Sequence, residues 1–212
     1  FGVDDLPVAV AAAGALMAYV RRTQSQSLSH IHNLSTEHTG EFVVLDPVSR
    51  RNLELTETLS GESSPTLFST LDHCQTPMGS RLLRRWLHHP LRGNDTPQAR
   101  QNAIRALLCT PEGHDALGSA SPLDALCEAL NRLPDIERIA TRISLRSVRP
   151  RELASLRDAL AGLPQVAHHL ATAFGEHASL ASLAQRLRVS PALAELLHGA
   201  IAAEPALLVR DA

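Results

Sequence analysis

Ser-Pro and Thr-Pro pairs punctuate this chain, among them Thr76-Pro77, Thr96-Pro97, Thr110-Pro111, Ser121-Pro122 and Ser190-Pro191. A hydroxyl just before a proline marks a helix start: the hydroxyl accepts a free amide, and proline suits the first turn, where an amide would lack a partner. Apolar stripes at helical spacing complete the pattern. Ile136, Ile139, Ala140 and Ile143 form one after Pro134. Leu153, Leu156 and Leu160 form another after Pro150, with a stop expected at Gly162. A separate helix is then expected from Pro164, carrying Val166, Leu170 and Phe174 and stopped by Gly175. Leu180, Leu183 and Leu187 make a further face, and Leu193, Leu196 and Leu197 one more. Hydrophobic residues are 44% of the chain but aromatic ones only 3%, so the core must be aliphatic, which favours helices over a β-sandwich. The fold class expected is all-α, an irregular multi-helix bundle with short loops.

One departure is a short extended segment near residues 41–45, where Phe42-Val43-Val44-Leu45 is β-prone. Residues 22–40 are polar, as a linker would be, so a boundary is placed near residue 37 and the helix expected at 6–22 is assigned to another unit. Gly61–Pro65 is expected to be a mobile loop between helices. The longest apolar stretch, Val8–Val20, is too short to span a bilayer, and no signal peptide is apparent. The first residue is Phe1, so the stretch reads as cut from a longer protein. The formal charge is −2, which gives no global footprint for nucleic acid.

Catalytic signatures are sought without success. All 20 basic residues are arginine, so a phosphate-cradling P-loop, which needs a lysine, is absent. The histidine groups (His30 and His32, His73 with Cys74, His88-His89, His168-His169) lack ligand spacing, because neighbours on a helix point about 100° apart. They read as surface or cap residues. Cys74, Cys109 and Cys127 show no C-x-x-C spacing and read as thiols of a reducing cytoplasm. No serine sits in a G-x-S-x-G elbow. Catalytic, cofactor-binding and metal residues are therefore none.

Residues 71–91 are the most specific part of the chain. Thr76 and Pro77 open a helix in which Met78, Leu82 and Trp86 share one face with Leu83 and Leu87, and Pro90 ends it. Met78, Leu82 and Trp86 with Ile136, Ile139 and Ile143 are expected to form the structural core. Trp86, the lone tryptophan, is expected to be its largest buried contribution, with Trp86→Ala costing about 3–5 kcal/mol. Arg81, Arg84 and Arg85, with Arg92, are weak candidates for a phosphate-binding stripe. The competing and preferred reading is a solvated or acid-paired helix face.

The Thr76-Pro77-Met78-Gly79-Ser80-Arg81 run and the Arg85-Trp86-Leu87 that follows resemble the core (lever) domain of the DNA mismatch repair protein MutS family. Asp46–Leu55, Arg100–Ile104, Leu133–Arg138 and Arg146–Leu153 are similar to further stretches of that domain. Phe1-Gly2-Val3 and Leu28–Ile31 resemble the end of the preceding connector domain, and Leu207–Asp211 is faintly similar. The resemblance implies that 1–37 is the last connector helix and linker, and 38–212 the first part of the core, without the clamp insertion or the ATPase domain. It implies no enzyme activity for this piece but a role coupling mismatched-DNA binding to ATP binding and hydrolysis. In the full-length protein it implies ATP and Mg as cofactors, mismatched duplex DNA and downstream repair factors as partners, a homodimer, no membrane, and a cytoplasmic, nucleoid-associated, bacterial-type location. The incomplete core is expected to expose apolar surface beyond residue 133 and to self-associate. Phe174-Gly175-Glu176 matches the family's Phe-x-Glu mismatch reader literally but is assigned to a helix end. The alternatives are a related branch that does not sense mismatches, or a free-standing helical DNA-binding module.

Overall fold

The computed structural model describes residues 39–108 and 121–206 continuously, together with Val3, 5–23, Ile31, Leu34 and Thr36. Thr110-Pro111, Leu207–Asp211 and the boundary expected near residue 37 lie outside these residues. The described elements are α-helices: α1 (Pro7–Thr23), α2 (Pro47–Asn52), α3 (Leu67–Leu71), α4 (Pro77–His88), α5 (Asp95–Leu108), α6 (Pro122–Asn131), α7 (Ile136–Ser144), α8 (Pro150–Phe174), α9 (Ala178–Arg186) and α10 (Pro191–Ala200). A 3₁₀ turn at Thr39–Glu41 precedes the segment expected to be extended. That segment makes one antiparallel bridge, Phe42 with Leu91, flanked by Val43 N–H donating to the Pro90 carbonyl at 2.8 Å and Arg92 N–H to the Glu41 carbonyl at 2.9 Å. No helix among the described residues is long and apolar enough to cross a membrane.

The bundle is organised on α8. Its 25 residues extend for about 37 Å at 1.5 Å per residue. α6, α7, α9 and α10 all pack against it. Two apolar clusters divide its length. Toward its end, Val166, Leu170 and Phe174 meet Leu126 of α6 and Leu180 and Ala184 of α9, with Ala103, Ala106 and Leu107 of α5 packed alongside. Toward its start, Leu156 meets Ile139 of α7 and Leu197 of α10, flanked by Ile136, Val148, Leu160 and Ile201. Arg157 fastens the far end of α10, donating to the carbonyls of Ile201 at 3.1 Å and Ala202 at 2.8 Å.

Two expectations are corrected here. Gly162 and Pro164 do not end one helix and start another: α8 runs straight through both. A proline inside a helix costs about 3 kcal/mol, whereas each buried Val, Leu or Phe side chain contributes about 1.5–3 kcal/mol. Val166, Leu170 and Phe174 beyond the proline, and Ala159 before it, are buried on that continuous face, so packing outweighs the local penalty. Gly175 does cap the helix, as expected.

The second correction concerns the core. Trp86 is 38% exposed, Leu82 is exposed, and Met78 is only partly buried. Helix α4 buries no residue fully, and its most extensive contact with another helix is to the five-residue α3. A strongly amphipathic helix needs an equally large surface to cover it, and this one lacks it. Ile139 is buried and Ile136 packs beside it, but Ile143, in the last turn of α7, is exposed. The core lies along α8 instead. Leu183, Leu193 and Leu196 also remain exposed, Leu196 at 65%.

Three smaller details follow the same logic. Thr76 and Ser121 cap their helices through the hydroxyl, whereas α5 begins at Asp95, ahead of Thr96-Pro97. Ser190 precedes α10 without a side-chain cap bond. The loop expected at Gly61–Pro65 follows a hydrogen-bonded turn: Leu59 N–H donates to Glu54 Oε1 at 2.7 Å, Thr58 N–H to the Glu62 carbonyl at 2.8 Å, and Arg51 to the Leu59 carbonyl at 3.3 Å. Gly61 turns there with φ of +88°, a backbone conformation that side chains disfavour.

Candidate functional site: an arginine–carboxylate joint between two helices

Every polar residue at the start of α4 has a structural task. Thr76 Oγ1 accepts from Gly79 N–H at 3.1 Å. Residue 79 is closely approached, since a Cβ there would lie 3.2 Å from Thr76 Oγ1 and 3.3 Å from Cys74 Cβ, and those side chains would have to give by a few tenths of an ångström. That absence lets the 72–75 loop fold back on the helix, where the Ser80 hydroxyl donates to Asp72. The bond from Ser80 holds the Asp72 carboxyl below its usual range despite some desolvation. Burial, and then Asp72 nearby, push the Cys74 thiol up and keep it protonated.

Arg81, the next residue, crosses to α7. Its two terminal nitrogens donate to the two oxygens of Asp135 at 2.7 and 2.6 Å. Its Nε and one terminal nitrogen also reach Glu137 Oε2 at 3.1 and 2.6 Å. Planar two-pronged pairing of this kind fixes orientation as well as distance. Asp135 is committed further as the N-cap of α7, accepting from Arg138 N–H at 3.2 Å. Arg81, then the cap amide, hold its carboxyl well below the ordinary carboxylate range. The same two acids raise Arg81 above the usual guanidinium value.

The charge chain continues. At the other end of α7, Arg142 pairs with Glu152 in the first turn of α8, and Glu152 also accepts from Arg149 N–H at 2.9 Å. Thus α4, α7 and α8 are joined in series at two ion-paired junctions, and Arg157 carries the linkage on to α10.

The remaining arginine candidates are placed differently. Arg84 lies over the Phe68 ring at 4.7 Å, tying α4 to α3. Arg85 borders a cleft of about 250 Å³ with Phe42, Leu82 and Leu91. Arg92 lends only its backbone to the bridge. Arg100 of α5 stacks on the Trp86 indole at 3.6 Å, which explains how a half-covered tryptophan is shielded outside a core. For Arg81 the acid-paired face is the arrangement found. Phe174 is buried among Val166, Leu170 and Leu180, so its ring cannot stack on a base.

At the end of α4, His88 Nε2 lies 3.1 Å from Thr56 Oγ1. Burial, then the charges of Arg50, Arg84 and His89, depress its pKa. Among the described residues no three His, Cys, Asp or Glu side chains are grouped to hold a metal ion.

Reading the sequence did not identify Asp135 and Glu137 as partners of Arg81, although both fall in one of the stretches that carry the resemblance. A family model described as MutS domain III matches residues 48–212, from α2 to beyond α10, and so includes every residue of this joint.

Proposed function

The chain belongs to the MutS family through its domain III, and on that premise we propose that it is the lever which couples mismatched-DNA binding to ATP binding and hydrolysis in the full-length repair protein. The observation that carries this reading is the series of ion pairs, Arg81 to Asp135 and Glu137, then Arg142 to Glu152, that fastens α4 through α7 to the long α8. A helix of about 37 Å with an apolar cluster at each end moves as one body, because close-packed side chains transmit displacement.

This domain is the non-catalytic helical part of the assembly. ATP and Mg belong to another part of the full-length protein. With no lysine, the chain does not fit a P-loop phosphate clamp, and no step of hydrolysis is assigned to its residues. Mismatched duplex DNA, downstream repair factors and a second copy of the protein are partners of the full-length protein in this reading, and its place is the cytoplasm. The connector-like assignment of 1–37 is part of the same reading, supported by the absence of any buried residue in α1. The rival DNA-binding module finds little support, since Arg81 is taken up by carboxylates and Arg84 by a ring.

The test is Arg81→Met in the full-length protein. Mismatch stimulation of ATP turnover is expected to fall about fivefold or more, the range of a typical coupling energy. Affinity for a mismatched duplex and turnover without DNA should stay within about twofold of the parent. Unchanged stimulation in a folded variant overturns the reading. A uniform loss of DNA affinity would instead favour the DNA-binding module.

A further inference from the structure

The recess enclosed by α2, the 53–61 turn and the last turn of α4 is used by neither the joint nor the core. Its volume is about 520 Å³, and its lining includes Arg50, Arg51, Thr56, Thr58, Glu57 and His88. Arg50 uses Nε on the Leu45 carbonyl at 3.0 Å, and Arg51 one terminal nitrogen on the Leu59 carbonyl at 3.3 Å. These bonds anchor both guanidinium groups by backbone oxygens and leave further N–H donors on each. Neither is in an ion pair among the described residues. From α4, the guanidinium of Arg84 adds positive charge that acts on His88. Glu57 is the one carboxylate in the lining, and it lies over Gly61, whose Cβ position is 3.6 Å from Glu57 Oε1.

We propose that this recess is a binding site for a phosphate-type oxyanion, held by the guanidinium groups of Arg50 and Arg51, with the Thr56 hydroxyl as a further donor when His88 Nε2–H donates to Thr56 Oγ1. The chemistry is that of planar N–H forks meeting tetrahedral oxygens, strengthened because the positive groups there outnumber the negative one. Burial and the guanidinium charges of Arg50 and Arg84 disfavour the protonated form of His88, so an arriving anion is what would favour it. The oxyanion can come from free phosphate or from the phosphodiester backbone of a nucleic acid; the recognised group is the same.

The experiment follows the His88 imidazole resonances of the chain by NMR in phosphate-free buffer at constant ionic strength. One arm adds inorganic phosphate, the other a short DNA duplex. Saturable shifts are expected in at least one arm, and the midpoint of His88 titration should rise at saturation. Arg50→Gln with Arg51→Gln should weaken binding about tenfold or more. Glu57→Gln should strengthen it, which keeps the idea open to refutation even if the double variant fails to fold. Phosphate saturation identifies a free-anion site, and saturation by duplex alone identifies a backbone site. Linear, non-saturating shifts in both arms, or binding indifferent to Glu57→Gln and to the folded double variant, would overturn the proposal.

Discussion

Phe174 and Trp86 separate two kinds of large side chain. Phe174 is buried at 5% exposure in the cluster with Leu126 and Leu180, while Trp86 is only partly covered, with the Arg100 guanidinium over its ring. Phe174→Ala should cost about 3–5 kcal/mol in urea unfolding, and Trp86→Ala about 1–2 kcal/mol. Equal costs would contradict this placement. The ion pair makes a second prediction at this scale. Asp135 has a lowered carboxyl pKa in the folded chain, so its contribution is present above the ordinary value of 3.8 and is lost as pH falls through the depressed one. Melting temperatures of the parent and of Arg81→Met should therefore differ near neutral pH and converge under acid. A constant gap down to the lowest folded pH would refute the pairing. The roles of Thr76 and Pro77 were legible in the sequence, because a cap depends on neighbours in the chain. The Arg81 pairing was not, since its partners lie 54 and 56 positions away and only the fold brings them near.

Among the elements, α8 shows how packing overrides punctuation. A Cβ at Gly162 would meet nothing within 4 Å, and Pro164 is exposed. Gly162→Ala should stabilise the chain by about 0.5–1 kcal/mol, and Pro164→Ala by up to about 3 kcal/mol, read from denaturant midpoints. A loss in both would mean that the break expected from the sequence is real. The stripes of α7, α9 and α10 were correctly located because helical spacing is a local property. What periodicity could not supply was how much surface would meet each stripe. Residues 77–88 have the clearer apolar face, yet the 150–174 run, with a glycine and a proline inside it, became the centre. The resemblance named the domain without revealing this hierarchy.

For the whole molecule, stability should be graded along α8. Amides from Val166 to Phe174 are expected to exchange hydrogen slowest and those of α1, which buries no residue, fastest, in a mass-spectrometric exchange series. Uniform protection would argue against one organising helix. The grip of Arg157 on two successive carbonyls sets the manner in which the outer helix can shift. A small slide of α10 would surrender both bonds before reaching any new pair. Because both carbonyls follow the last turn of α10, the guanidinium acts as a latch on the end of that helix, and each bond to its charged donor adds about 1.5–3 kcal/mol to the seating.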